Sequence, residues 1–248
     1  MEGKKGIDTP LDTINGIQYF YYQTKHDAEG FEMTTKAFGD HEPIGKACGA
    51  NQEQFKELFM LTWHHMVNNN LSIVAVDEES QKVAGVFTAW DPTKMMEAGM
   101  CALMSMMSQF DKVLKKYPGL KPFCDISQEV QKPIGALHKK HKTKGDSGVI
   151  CELLTVAVSP DFGGKGIATN LSKICVENAK QAGFKVIYSE TTGVGSTKAI
   201  AKCGGEIKNT IDYATWTYGK GCFSKGTQPL AKVEEPHKGI NLMVIMNA

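Results

Sequence analysis

The chain has 248 residues, a length that suits one large α/β domain or two small ones. Its 28 basic and 27 acidic residues give a formal charge of +1, which argues against a dedicated nucleic-acid surface. No apolar run approaches the roughly 20 residues of a membrane span, and residues 1–10 are too polar for a secretory signal.

The first half of the chain predicts strands and amphipathic helices. Residues 1–16 are expected to form a flexible lead-in. A helix that ends near residue 38 is expected after the first strand. Residues 40–45 contain proline and glycine and predict a turn, and a second helical stripe begins at Asn51. Strands are predicted over residues 17–22, 71–76 and 83–90.

A long helix rich in methionine follows the third strand. Apolar residues recur at spacings of three and four from Leu103 to Tyr117, which favours packing into the core. The methionines also allow a second interpretation, a pliable wall for an apolar ligand. They lie at positions 95, 96, 100, 104, 106 and 107. Residues 118–148 predict loops and short helices.

The second half of the chain is more regular. Residues 149–158 are almost continuously apolar, which is typical of a central strand that is covered on both faces. Helices are expected over 164–182 and 196–203. Further strands are predicted over 185–189, 206–217 and 240–246. With no internal repeat or linker, one α/β domain over residues 17–248 is the simplest organisation.

The cysteines and histidines predict neither disulfides nor a metal site. The seven cysteines are scattered singly without a C-x-x-C pair, as in a cytoplasmic protein with reduced thiols. His64 and His65 are adjacent on a helix and would point in different directions.

The segment that carries most chemical information is residues 156–168, which read VAVSPDFGGKGIA. A buried strand leads through a short turn into a glycine-rich helix start, where backbone N–H groups are unpaired and the helix dipole is positive. Glycine allows an anion to approach the backbone closely, so this turn predicts a pyrophosphate site. Neither the Rossmann fingerprint nor the P-loop pattern fits these glycines.

This segment resembles motif A of the GNAT acetyltransferases, in which [QR]-x-x-G-x-[GA] binds the pyrophosphate of coenzyme A. Gly166 and Ala168 match the motif, whereas Gly163 stands where glutamine or arginine is usual. Three further segments resemble the insect arylalkylamine (dopamine-type) N-acetyltransferases. They are residues 40–44 (DHEPI), 196–204 (STKAIAKCG) and 236–243 (PHKGINLM).

The resemblance implies a mixed α/β (α+β) GNAT fold, with a mostly antiparallel central sheet of about seven strands flanked by helices. It implies acetyl-CoA as co-substrate and direct attack by an amine through a tetrahedral intermediate. The residues that would bind the cofactor are Val156, Ala157, Val158, Gly163, Gly164, Lys165, Gly166, Ile167 and Ala168. Because Gly163 lacks the usual side chain, weaker cofactor binding is expected.

The resemblance also suggests catalytic residues. Glu42 matches the glutamate of the family's E-P-L segment and is the candidate general base, acting through water. Glu152 is the rival base, because a glutamate inside so apolar a strand requires an explanation. Ser196 and Thr192 align with two family serines proposed to position groups or protonate the leaving thiolate. Ser196 would serve equally well as a helix N-cap.

The predicted function is acetyl transfer from acetyl-CoA to a small primary amine, an arylalkylamine or a polyamine. Two alternatives remain open at this point. The first is an enzyme that acts on protein N-termini or lysines, for which the long segment 91–148 would either build or block a peptide groove. The second is a non-catalytic acyl-CoA-binding module, which the glycine at position 163 favours.

Overall fold

The computed structural model describes residues 8–94, 99–142, 147–219 and 226–247. Its centre is one sheet in the order β1-β2-β3-β4-β5-β6-β8-β7, in which the β5–β6 pair is parallel and every other pair is antiparallel. The strands are β1 (Asp12–Ile14), β2 (Ile17–Tyr21), β3 (Ile73–Asp77), β4 (Val83–Trp90), β5 (Ile150–Val158), β6 (Val186–Thr191), β7 (Glu206–Asp212) and β8 (Gly239–Met246).

Helices cover both faces of the sheet, as the continuous apolar character of β5 predicts. They are α1 (Asp27–His41), α2 (Pro43–Cys48), α3 (Gln52–Met60), α4 (Trp63–Val67), α5 (Met100–Lys116), α6 (Leu120–Val130), α7 (Ile134–His141), α8 (Ile167–Gln181) and α9 (Val194–Lys202). Two 3-10 turns occupy Thr24–His26 and Pro160–Phe162.

The two faces of the sheet carry separate apolar clusters. On one face, Leu171 and Cys175 of α8 and Ile200 of α9 pack against β3–β6 and β8. On the other face, Ile44 of α2 and Ile126 of α6 pack against β6 and β8. We call the first the cofactor face and the second the acceptor face, for reasons given with the site.

The sheet opens between β5 and β6. Their parallel pairing covers only Ile150–Glu152 of β5 and Val186–Tyr188 of β6. From Leu153 onward β5 pairs with β4 alone, and the β4–β5 register shifts at Thr88 and Ala89. Such a bulge bends and twists a strand, which separates the ends of β5 and β6 and leaves a gap at the centre of the sheet.

The fold prediction is confirmed, with one more strand than expected. The additional strand is β1, which belongs to the lead-in predicted for residues 1–16 and pairs with β2 at the sheet edge. An edge strand of three residues, mostly exposed, carries no periodic signal that a sequence pattern can reveal. The start of a single domain at residue 17 stays a prediction.

Several predicted boundaries differ from the structure. The turn predicted over 40–45 is almost entirely helical, since α1 runs to His41 and α2 begins at Pro43. The strand predicted over 206–217 is shorter in the structure, where β7 ends at Asp212. The region 118–148 contains two regular helices, α6 and α7.

The prediction that the methionine-rich helix packs into the core is wrong. Helix α5 has no buried residue, and Met100, Met104 and Met107 are all more than half exposed. Only its C-terminal half, from Phe110 to Tyr117, contacts the apolar cluster around α3. The periodicity is therefore genuine, but the N-terminal half of the helix joins none of the apolar clusters of the described residues. Met95 and Met96 lie outside the described residues.

Candidate active site

A cavity of about 330 Å³ lies in the gap between β5 and β6. Ser172, Ala199 and Ile200 line it from helices on the cofactor face. Glu42 and Pro43 line it from the α1–α2 junction on the acceptor face. The cavity therefore passes through the sheet, so that two ligands entering from opposite faces would meet inside it.

Glu42 is placed in this cavity by the break between α1 and α2. A residue before proline avoids helical backbone angles, and Glu42 is extended with φ −71° and ψ 120°. Pro43 opens α2 without needing an N–H partner, and Glu42 Oε2 caps that helix by accepting from Gly45 N. Glu42 is 6% exposed, and Oε1 has no hydrogen-bond partner among the described residues.

Burial raises the pKa of Glu42 above that of an ordinary glutamate. The N–H of Gly45 and the nearby hydroxyl of Thr192 oppose this shift but do not cancel it. A carboxyl group with a raised pKa binds a proton more strongly than an ordinary glutamate, which suits a general base.

Thr192 and Ser196 lie in the same cavity as Glu42. Thr192 follows the end of β6, and its carbonyl accepts a hydrogen bond of 2.8 Å from the hydroxyl of Tyr213. Ser196 is not the helix cap considered above, because α9 begins at Val194 and Gly193 occupies the N-cap position. The Ser196 hydroxyl instead donates to the carbonyl of Gly193 at 3.0 Å.

The glycine-rich turn precedes α8 as predicted. Gly164 and Gly166 have φ values of 78° and 72°, a conformation that side-chain-bearing residues rarely adopt. The first hydrogen bond of α8 runs from Asn170 N to Gly166 O, so the earlier N–H groups point outward without intrahelical partners. Gly163 differs, because its N–H donates to Pro160 O at 3.1 Å.

Lys165 lies within this turn, between Gly164 and Gly166, and carries a positive charge. Its ammonium lies 3.9 Å from Asp77 Oδ1 and 5.3 Å from the ring centroid of Phe162. These contacts hold the charge beside the start of α8, where Ile167 and Ala168 present their backbone N–H groups.

The residues present fit coenzyme A, a group that this structure does not contain. Val156, Ala157 and Val158 line the cavity, and the pairing of their strand with β6 ends at Glu152 in the described residues. An open strand edge offers backbone donors and acceptors to an extended polar chain such as pantetheine. The same strand leads into the glycine-rich turn, where the pyrophosphate would lie.

The rival base, Glu152, lies outside the lining of this cavity. It is 5% exposed, and its carboxyl accepts from Trp90 Nε1 at 2.6 Å and from Gln131 Nε2 at 3.2 Å. Burial raises its pKa, against the opposing effect of the hydrogen bonds from Trp90, Tyr188 and Gln131. Both oxygens are occupied, which makes Glu152 a poorer base than Glu42.

Sequence reasoning missed Glu190 and His237, which also line the cavity. Glu190 lies on β6 and shares the amide donor Gln131 with Glu152. Burial and the adjacent Glu152 raise the pKa of Glu190 well above its usual value. The signal that pointed to Glu152, a glutamate within an apolar strand, applies equally to Glu190.

His237 connects this cavity with a second one of about 470 Å³ on the acceptor face. His237 Nδ1 accepts from Val194 N at 3.3 Å. His41 and Pro43 also border both spaces, and Lys46 and Glu234 line the outer one as an ion pair at 3.3 Å. The outer cavity therefore forms a mouth through which a small molecule can reach Glu42.

The fold, the glycine-rich turn and the cavity through the sheet define an acyltransferase architecture. The acetyltransferase (GNAT) family model matches residues 31–204, and the chain belongs to that family. The chain is therefore an acetyltransferase, with acetyl-CoA as its co-substrate.

Two solved structures are similar over nearly the whole chain. Arylalkylamine N-acetyltransferase 2 from Aedes aegypti is 21% identical with a TM-score of 0.70, and the match covers 94% of this chain and 100% of that one. The polyamine N-acetyltransferase of Drosophila melanogaster, which forms N-acetylagmatine, is 13% identical with a TM-score of 0.66, over 93% and 99%. The resemblance to the insect arylalkylamine enzymes is confirmed, and at these identities it shows the fold.

No helix in the described ranges is long and apolar enough to cross a membrane.

Proposed function

We propose that this protein transfers the acetyl group of acetyl-CoA to the primary amine of a small molecule, an arylalkylamine or a polyamine. One observation carries the proposal. The cavity through the sheet brings Glu42, Thr192 and Ser196 together beside the open edge of β5.

Residues of β5 and the following turn hold the acyl donor. Backbone groups of Val156, Ala157 and Val158 pair with the pantetheine, and N–H groups at the start of α8 bind the pyrophosphate. The thioester supplies an activated acetyl carbonyl. A β5 N–H that faces the gap stabilises negative charge on its oxygen, because a preorganised donor needs no reorganisation during the reaction.

Glu42 removes the proton that the acceptor ammonium must lose before its nitrogen can attack. Glu42 lines the cavity, its Oε1 has no hydrogen-bond partner in the described residues, and its raised pKa makes it a stronger proton acceptor than an ordinary glutamate. A water molecule is the expected carrier between the ammonium and the carboxylate.

Ser196 and Thr192 line the same cavity as Glu42, near the start of α9 and just after the end of β6. A hydroxyl group there donates a proton or a hydrogen bond to the sulfur as the C–S bond breaks. The Ser196 hydroxyl can take up a replacement proton through its contact with solvent, since the residue is only partly buried.

The size of the acceptor space supports a small amine over a peptide. Helix α6 packs on α2 and on β7–β8, so the acceptor face is covered rather than open as a long groove. Relatives of the same fold are described as acting on arylalkylamines and on polyamines, which is consistent with a small amine here.

The test is thiol release from acetyl-CoA across a panel of tyramine, putrescine, spermidine and short peptides. Saturable turnover with one small-amine class supports the proposal. Turnover confined to peptides would favour the protein-acetylating alternative. Calorimetric binding of acetyl-CoA without turnover of any amine would favour a non-catalytic module.

A further inference from the structure

Three buried or largely buried carboxyl groups occur on the acceptor face, and none of them has a cationic partner in the described part of the chain. They are Glu42, Glu152 and Glu190. The ion pairs that the structure describes mostly join exposed lysines to exposed carboxylates elsewhere on the surface. Charged carboxylates without a counterion are costly to bury, so such a set requires either protonation or a cation from outside.

Glu190 and Glu42 border the same cavity. Glu190 is the last residue but one of β6, and Thr192 follows that strand directly. Both residues line the cavity. Thr192 in turn lies beside the Glu42 carboxyl. Both carboxyl groups can therefore contact one small ligand in this cavity of about 330 Å³.

The second site, around Glu190, is held by hydrogen bonds between side chains. Gln131 Nε2 donates to both Glu152 and Glu190, and the hydroxyl of Ser127 also bonds to Glu190. These neutral donors fix the two carboxyl groups side by side without cancelling their charge. Protonation of one carboxyl group lowers the charge of the pair when no cation is bound.

Glu42 gives independent evidence that a ligand with a hydrogen-bond donor binds in this cavity. It is 6% exposed, lines the cavity and leaves Oε1 without a hydrogen-bond partner in the described residues. A buried polar atom with no partner costs free energy unless a ligand or water satisfies it. The ammonium of an acceptor supplies that donor near Glu42, but a monoamine leaves the Glu152–Glu190 pair without a counterion.

We propose that the acceptor is a short dication, a diamine or an aminoalkylguanidine, whose second cationic group binds Glu190 with Glu152 behind it. This inference rests on the proposed function, because the first amine is the one acetylated near Glu42. The mouth does not provide an equivalent site, since Lys46 and Lys232 line it beside Asp40 and Glu234 and offset their charge. The charge of the acceptor's distal end is thus recognised inside the protein.

The experiment compares putrescine with butylamine, which has the same carbon chain and lacks the second charge. We expect a kcat/KM for putrescine about ten- to a hundredfold higher than for butylamine, as for a hydrogen bond to a charged group. Glu190→Gln should reduce that ratio about tenfold or more, and agmatine should lose turnover in parallel. Glu177→Gln, which removes an exposed carboxylate on α8, is the matched control and should keep the wild-type ratio.

The putrescine-to-butylamine ratio of kcat/KM is measured on the wild-type protein, so it tests the dication site even if Glu190→Gln is unstable. Butylamine or tyramine turned over as well as putrescine would overturn the dication site while leaving the acetyltransferase function intact. If no amine is turned over, the proposed function fails instead. Calorimetry of putrescine and butylamine with the coenzyme A-bound protein then tests the site, and equal binding of the two would overturn it.

Discussion

The carboxyl groups of Glu152 and Glu190 lie side by side on the neighbouring strands β5 and β6, bridged by the amide of Gln131. Burial raises the pKa of both groups, and for Glu190 the charge of Glu152 raises it further. Folding therefore favours a protonated form of the pair. The stabilisation is fully present below the pKa of an unfolded glutamate and is lost as the pH rises through the folded-state pKa.

This pair predicts a pH-dependent gain in stability from Glu190→Gln. At pH 8 the variant removes one of two adjacent buried charges, so we expect its Tm to exceed that of the wild type by about 2–4 °C. At pH 5 the difference should shrink, because protonation lowers the charge of the wild-type pair as the pH falls. Thermal melts at the two pH values measure both effects.

The control for this prediction is Glu206→Gln, because Glu206 is exposed and paired with Lys208 at 2.5 Å. Its pKa is lowered by that lysine, so its substitution should not raise the Tm at pH 8. An unchanged or lower Tm of Glu190→Gln at pH 8 would contradict the claim that the charge of Glu190 beside Glu152 destabilises the fold.

Glu42→Gln is expected to lower kcat/KM for the amine by about a hundredfold or more, because it removes the proton acceptor. Acetyl-CoA binding, measured by calorimetry, should change far less. In the wild type kcat/KM should fall as the pH drops through the raised pKa of Glu42, so the acid limb lies above the range of an ordinary glutamate. His41 and His237 also border the cavity. If the acid limb of the pH profile disappears in Glu42→Gln, that limb belongs to Glu42 and not to either histidine.

The matched control is Glu32→Gln, since Glu32 is exposed on the same helix α1 and pairs with Lys56. Its pH profile should coincide with that of the wild type. If turnover by Glu42→Gln equals that of the wild type, Glu42 has no part in the chemistry.

Gly164→Val is expected to weaken acetyl-CoA binding about tenfold or more. A Cβ at Gly164 meets no atom within 4 Å, so the cost comes from the backbone angle rather than from a clash. A β-branched residue held at φ 78° costs roughly 1–3 kcal/mol, which shifts the turn away from its anion-binding shape. Calorimetric titration with acetyl-CoA measures the loss.

Gly148→Val provides the comparison, because Gly148 also has φ 78° and open space around its Cβ but precedes the opposite end of β5. It should lose similar stability and keep its affinity for acetyl-CoA. Equal affinity of the two variants would exclude the turn as the pyrophosphate site.

Ser196→Ala is expected to lower kcat about tenfold with little change in the KM for acetyl-CoA, as for a group that acts only on the leaving sulfur. Thr197→Val is a close control. The Thr197 hydroxyl donates to the same Gly193 carbonyl at the same 3.0 Å as that of Ser196, but Thr197 does not line the cavity. Equal losses in both variants would mean that only the start of α9 had been disturbed. Steady-state kinetics with saturating amine distinguishes the two cases.

The sequence by itself determined the local parts of the site. A buried strand, a turn and closely spaced glycines specify backbone angles over a few residues, so residues 156–168 predicted the strand, the turn and the outward N–H groups. The Glu42-Pro43 pair likewise encodes the break between two helices, although the turn predicted around it was too long.

Only the tertiary structure decided which of these parts meet. The gap between β5 and β6 depends on a register shift, and it brings Glu42 to Thr192 and Ser196 from a distant part of the chain. Strand pairing also brings Glu190 close to Glu152, and the two share the donor Gln131. The exposure of the α5 methionines is likewise a property of the tertiary structure. Periodicity reports which face of an element is apolar, whereas pairing between strands determines what that face contacts.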